Sequence, residues 1–349
     1  MPPWQNPFTI DTSRLSVDRI LDRSSELERL VALTSSRREN VLLTGPFGIG
    51  KTCILRKLRH HLSTDKDARV LLVELEMLGL AAVPDRFVVD LLLKLFAVVY
   101  SEITHKPFSN LLSSAASSRE VSLKLVPIVN HVVQLYRVVK AKETSTGATD
   151  THTFGATLGV SAQKQEQINR AWKAGELNIT EHLMIAYELL EILRQHGYDQ
   201  ILVFGDEANH VSPDIEIALY RSNFEAFAAR NMQFVFTGNP DVLARVPHFH
   251  ELFPNVVPVT GFKEPVALED LLELYCRLLG DSGARLEFTR EARSVIWSAT
   301  GGNPREIQRI CQCVTDSVIR SGGFEVTPDA VFRACLELYD FVPRRVPSA

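Results

Sequence analysis

Cysteine is scarce in this chain of 349 residues, and the five present (Cys53, Cys276, Cys311, Cys313, Cys335) are odd in number and scattered. That excludes a disulfide-framed scaffold and fits reduced thiols of a cytoplasmic protein. The one close pair, Cys311 and Cys313, has no second Cys/His pair beside it, so helix packing is expected there rather than zinc. Charge of one sign is lacking too: 38 Lys and Arg stand against 42 Asp and Glu, a net −4 that leaves no chain-wide footprint for nucleic acid. Long apolar runs are missing; the most apolar segment, Val88 to Tyr100, is too short to span a bilayer and carries Lys94, so no membrane partner is expected. The opening MPPWQNPFTIDTSR has neither a basic nor an apolar signal region, and no secretory signal is expected. No repeat of roughly 20–50 residues and no sustained heptad pattern is found, which excludes solenoids and coiled coils. What remains, 45% apolar and 23% charged, is an ordinary globular composition with length for two domains or one with an appendage.

Against that plain background one stretch stands out. Gly45-Pro46-Phe47-Gly48-Ile49-Gly50-Lys51-Thr52 fits the phosphate-loop pattern GxxxxGK[ST] without a mismatch. Val41–Thr44 before it has strand length, and Ile54, Leu55, Leu58 and Leu62 after it recur at helical spacing. Glycines let successive N–H groups curl around a phosphate, and the helix N-terminus adds positive partial charge. Lys51 is expected to reach the β- and γ-phosphates and the Thr52 hydroxyl to hold Mg²⁺, with Cys53 closing the cofactor-binding stretch. The plainer alternative is a glycine turn between a strand and a helix.

Residues 1–17 carry three prolines and read as extended. Ser24 is expected to cap a helix bearing Leu27, Leu30 and Leu33. Further strands are expected at Arg69–Leu75, Gln200–Phe204, Gln233–Thr237 and Val256–Val259; Pro258 restricts the last to a short or edge position. Helices are expected at Pro84–Glu102, Val121–Lys142, Glu181–His196, Asp214–Arg230 and Asp241–Ala244. A serine-rich break spans Ser109–Ser118, residues 143–153 read as a surface loop, and Thr153–Ser161 as a hairpin arm; residues 103–180 together look like an insertion. From Glu264 onward no strand is expected, only helices at Leu268–Leu279, Thr289–Ala299, Pro304–Ile319 and Pro328–Tyr339. Asn303 is placed as N-cap of the third, with Ile307, Ile310, Cys311, Val314 and Val318 as its apolar stripe.

A second chemical element is Ile201-Leu202-Val203-Phe204-Gly205-Asp206-Glu207, an apolar strand ending in adjacent acids at the edge where α/β sheets hold their ligands. Asp206 suits Mg²⁺ coordination and Glu207 suits orienting an attacking water, since alternate side-chain directions let neighbours take different tasks. A solvated turn is the competing reading.

With these two motifs the chain resembles AAA+ P-loop ATPases over about residues 18–342, apart from the insertion. GPFGIGKT resembles Walker A and ILVFGDE resembles Walker B with its glutamate. Phe234–Asn239 is similar to the sensor-1 strand, with Asn239 first and Thr237 second as the residue that senses the γ-phosphate. Gly301-Gly302-Asn303-Pro304-Arg305 resembles sensor 2, which directs Arg305 to the nucleotide, and ILDRSSELERL resembles the N-linker, which makes Arg23 a cofactor-binding residue. Mundane rivals remain: a surface Arg305, a strand-ending turn at Asn239-Pro240, and surface pairing of Arg23 with Asp22 or Glu26. The strings GNPR and VFTGNP are at home among replication-initiator-like, transposition-regulator and STAND branches.

The resemblance implies an α/β fold: a five-stranded parallel sheet flanked by helices (residues 18–263, insertion included), an all-helical lid (264–342) and a tail (343–349). It implies ATP and Mg²⁺ as cofactors, ATP hydrolysis, a homo-oligomer, and a trans-acting arginine, with Arg245 favoured over Arg221 and Arg230. The expected output is a regulator acting on DNA or a DNA-bound partner; a STAND-like switch working through a separate effector protein, or a nucleotide-stabilised scaffold, are the alternatives. Basic residues of the insertion (Lys124, Arg137, Lys140, Lys142, Lys164, Arg170, Lys173) suit nucleic acid or a protein partner, and equally a solvated helix face.

Overall fold

Apolar runs with little polar interruption demand cover on both faces, and the computed structural model gives it to the three inner strands of the sheet. The structure describes residues 23–36, 39–65, 69–76, 84–109, 179–208, 224–245, 249–263, 268–273 and 286–339, with single helical positions at 128, 129, 132, 133, 135 and 136. In chain order the elements are α1 (Ser24–Ser35), β1 (Val41–Thr44), α2 (Lys51–Thr64), β2 (Val70–Glu76), α3 (Pro84–Thr104), α4 (Ile179–Gln195), β3 (Gln200–Asp206), α5 (Phe224–Ala228), β4 (Met232–Gly238), α6 (Asp241–Arg245), α7 (Phe249–Leu252) and β5 (Asn255–Pro258). A C-terminal group follows: β6 (Glu287–Phe288), α8 (Arg290–Thr300), α9 (Pro304–Arg320), β7 (Glu325–Val326) and α10 (Pro328–Tyr339).

The main sheet is five-stranded and parallel in the order β2-β3-β4-β1-β5. Parallel strands all end on one edge, so the loop after β1 and the acids after β3 emerge on the same side with β4 between them. Period-2 alternation divides the side chains between two cores. Phe234 and Phe236 of β4 join Val203, Leu92 and Leu189 on the α3/α4 face, while Val235 joins Leu43, Leu202, Ile54 and Leu58 on the α1/α2 face. The rings of Phe234 and Phe236 meet edge-on at 5.7 Å. At the opposite end of the strands, the Gln200 side-chain amide donates to Thr34 O (2.7 Å) and Gln233 Oε1 (2.9 Å), which ties the end of α1 to the sheet. Strand β5 is short and lies at the edge, as Pro258 requires, and Arg29 of α1 donates to its Val256 carbonyl (3.4 Å).

Three expectations need correction. The C-terminal group is not all-helical: β6 and β7 form a two-stranded parallel ladder. Two-residue strands are too short to show alternation in a sequence, and this pair draws together the starts of α8 and α10. Ser24 is the first residue of α1 and not its cap; Arg23 occupies the N-cap position without a side-chain capping bond. Strand β3 runs to Asp206, since its pairing with β2 extends to Glu76 opposite Asp206. The other expected N-cap holds: the Asn303 side chain accepts from Arg305 N–H, and the α9 stripe Ile307, Ile310, Cys311, Val314 and Val318 is buried.

Of the expected insertion, Ile128, Val132 and Leu135 are buried at helical spacing against the α3/α4 core. The extended N-terminus, most of the serine-rich break, the loop at 143–153, the hairpin arm at 153–161, the seven basic residues, most of the expected helix at 214–230, and the tail lie outside the described residues. Among the described residues, no helix is long and apolar enough to cross a membrane.

Phe234→Ala removes a ring that is 0% exposed at the centre of the sheet. It is expected to cost about 3–5 kcal/mol, read as a lower urea midpoint at unchanged m-value.

Candidate functional site

The chain leaves β1 at Thr44 and enters α2 at Lys51, and the turn between needs backbone that ordinary residues avoid. Gly50 is the N-cap of α2 at φ +99°, and Gly48 sits at φ +77°. A Cβ on Gly48 would also come within 2.5 Å of the Arg305 side chain, so both glycines are dictated by conformation and one by space as well. The Lys51 ammonium lies back along this turn. It donates to Gly45 O (2.7 Å), Pro46 O (3.0 Å) and Asn239 Oδ1 (3.3 Å). Burial lowers its pKa, and the nearby carboxylates of Asp206 and then Glu207 oppose that shift. Cys53, in the first turn of α2 and partly buried, has its thiol pushed up by burial, with Arg56 and Arg23 opposing.

The acids of β3 meet this turn directly. Thr52 Oγ1 donates to Asp206 Oδ2 at 2.6 Å, across 154 residues of sequence. The other carboxylate oxygen, Asp206 Oδ1, accepts from the Thr237 hydroxyl and from Glu207 N–H (3.1 Å). Glu207 N–H also donates to Thr237 Oγ1 (3.0 Å), closing a triangle of Asp206, Glu207 and Thr237. Glu207 is one of three non-glycine residues at positive φ among the described residues, at +62°. Left-handed backbone in a glutamate is uncommon, and two acceptors on one N–H are what hold it there. Thr237 is fully buried on β4, and its single hydroxyl proton is committed to Asp206. Thr52 and Asp206 together present a hydroxyl and a carboxylate, the hard oxygen set that Mg²⁺ takes when phosphates and waters supply its remaining ligands.

A third side comes from the C-terminal group. The Arg305 guanidinium stacks 4.2 Å from the centroid of the Phe47 ring, which is 60% exposed, and Asn303 Nδ2 donates to Phe47 O (3.4 Å). Arg305 is exposed, and its side chain lies against the loop. Arg23 is 3% exposed, and its guanidinium donates to Ile49 O (2.7 Å), Thr260 O (2.9 Å) and Glu26 Oε1 (3.2 Å). The surface pairing considered for Arg23 is corrected to a buried one with Glu26, and its other two bonds are to main-chain carbonyls.

The structure therefore brings together Gly45 to Thr52, Asp206, Glu207, Thr237, Asn239 and Arg305. The two sensor-1 candidates divide: Asn239 touches Lys51, whereas Thr237 braces the acids. Arg230 donates to Ala226 O (3.0 Å) and lies 4.6 Å from the Tyr187 ring centroid, so its own chain engages it. Arg245 ends α6 with its side chain outside the described residues, as is Arg221 altogether. The Thr237 triangle and the Phe47–Arg305 stack escaped sequence reading. A buried threonine at the tip of an apolar strand was the one available signal for the former; for the latter, the resemblance directed Arg305 to the nucleotide but nothing pointed to Phe47 as its partner, 258 residues away in sequence.

A family model described as the KAP family P-loop domain matches residues 24–246. No curated protein sequence matches the chain. Among solved structures, Cdc6p from Pyrobaculum aerophilum is 16% identical, with 94% of this chain covering 71% of that one at a TM-score of 0.47. The Aeropyrum pernix Orc1 protein, solved in complex with DNA, is 14% identical (92% and 67% covered, TM-score 0.45). The Thermotoga maritima RuvB Holliday junction branch migration motor is 13% identical (90% and 69% covered, TM-score 0.43).

Thr237→Val keeps the volume and removes the hydroxyl that Asp206 and Glu207 share. It is expected to lower stability by about 1–3 kcal/mol, seen as a reduced melting temperature, with Thr237→Ser recovering most of the loss.

Proposed function

Because the chain belongs to the KAP family of P-loop NTPases, we propose that it binds and hydrolyses Mg-ATP, and that this drives a change of conformation or assembly in a regulator acting on DNA or a DNA-bound partner. The observation that carries the catalytic part is the Thr52–Asp206 contact at 2.6 Å, which gathers a phosphate loop and an acid-ended strand at one point.

In this reading the N–H groups of residues 45–52 and the start of α2 hold the triphosphate. Lys51 leaves the carbonyls of Gly45 and Pro46 and turns its ammonium to the β- and γ-phosphates. Asn239, already bonded to Lys51, follows the γ-phosphate as sensor. A magnesium ion held by Thr52 and Asp206 would supply charge neutralisation to the triphosphate. Glu207 orients the water for in-line attack on the γ-phosphorus and accepts its proton as the bond to the ADP oxygen breaks, while Thr237 holds the main chain of Glu207 and the carboxylate of Asp206. Arg305 exchanges the face of Phe47 for the developing charge on the transferred group. If copies assemble, Arg245 is the residue proposed to complete a neighbour's site.

A second reading is a STAND-like switch that acts through a separate effector protein. The in-chain Arg305–Phe47 stack favours it, since an arginine that already sits on the loop can report nucleotide without a neighbouring subunit.

Lys51→Ala is expected to abolish uptake of labelled ATP, and Glu207→Gln to retain binding while phosphate release falls roughly 100-fold or more. Parent-like ATP binding by Lys51→Ala would sink the catalytic reading. ATP-dependent complexes on DNA, absent in Lys51→Ala, support the DNA-directed regulator; ATP-driven association indifferent to DNA supports the switch.

A further inference from the structure

Arg23 is the one buried arginine or lysine among the described residues. A guanidinium out of water is tolerated only when its donors are matched, and here the partners lie on three separate segments. Ile49 O belongs to the phosphate loop, Thr260 O follows β5, and Glu26 belongs to the first turn of α1. The Phe262 ring lies 5.2 Å from the guanidinium, and Phe262 N–H donates to Gly302 O (2.8 Å). Gly261 meets Gly301 so closely that a Cβ on it would stand 2.3 Å from the Gly301 carbonyl oxygen. From Gly302 the chain passes to Asn303 and Arg305, which touch Phe47 and Gly48 at the front of the loop. The result is a closed circuit: Ile49 to Arg23, to Thr260 and Phe262, to Gly302 and Asn303, and back to Phe47.

We propose that Arg23 is a positioning residue that fixes the phosphate loop to the junction between the sheet and the C-terminal helices, without touching nucleotide itself. A loop that turns its N–H groups toward a phosphate turns carbonyls the other way, and Arg23 supplies the donor that the carbonyl of Ile49 needs there. This replaces the direct cofactor contact expected of Arg23 from the sequence. It rests on the reading that the loop binds a nucleoside triphosphate.

The test uses the full chain with Arg23→Gln, and Arg23→Lys, which keeps the charge but can serve one carbonyl at a time. Amide hydrogen exchange, measured without nucleotide, is expected to rise together in peptides covering 45–52 and 260–263. Titration with fluorescent ATP and ADP is expected to show the same roughly tenfold loss for both, about 1.4 kcal/mol, with Arg23→Lys between parent and Arg23→Gln. Unchanged exchange at 45–52, loosening of only one of the two segments, or a loss confined to ATP would each overturn the assignment. If Arg23→Gln does not fold, the lysine variant decides by the same measures. Because the exchange arm needs no ligand, a parent that fails to bind ATP counts against the proposed function and not against the clamp.

Discussion

The bond between the Thr52 hydroxyl and the Asp206 carboxylate is where the architecture of this protein converges. It requires β1 and β3 to run parallel with one strand between them, so that a loop and an acid from distant parts of the chain reach the same edge. It requires the left-handed Gly50, which starts α2 at the point that presents Thr52 to the acid. It also requires the Asp206 carboxylate to be held in place, which the Thr237 hydroxyl and the Glu207 N–H accomplish on its other oxygen. An exposed pair of this kind would contribute little to stability on its own. Its geometry is imposed by the cores on either side of the sheet, and chemistry inherits the result.

The groups around that bond are preorganised to different degrees. Asp206 has both oxygens engaged, and the backbone at Glu207 is held at φ +62° by two acceptors. Lys51 and Arg305 rest on softer partners, loop carbonyls in one case and an exposed aromatic face in the other. The division is physically sensible. Under the proposed function, oxygens that hold a cation would be fixed in advance, whereas cations that meet a phosphate would exchange weak protein contacts for stronger ones when charge arrives.

The fold was legible wherever one strong physical rule governed a segment. Uninterrupted apolar runs marked the strands of a doubly covered sheet, and Pro258 marked an edge. Asn303-Pro304 marked a helix start, and the α9 stripe marked a buried face. What could not be read was set by contacts between distant segments. The ladder of β6 and β7 depends on two residues in each strand, and the burial of Arg23 depends on carbonyls at positions 49 and 260. The site was legible as a motif but not as a division of labour: nothing in the string FVFTGN says that Thr237 faces the acids while Asn239 faces the lysine. The family was legible at the level of a P-loop NTPase; the motifs did not single out the KAP family.

The edge at β5 has a consequence for how copies of the chain could meet. Pro258 carries no N–H, and the guanidinium of Arg29 reaches the Val256 carbonyl from α1. A strand so blunted offers a poor template for a further strand, and uncontrolled sheet extension through it is discouraged. Ordered self-association at this edge would then use helical or loop surfaces, where side-chain complementarity and not backbone pairing selects the neighbour.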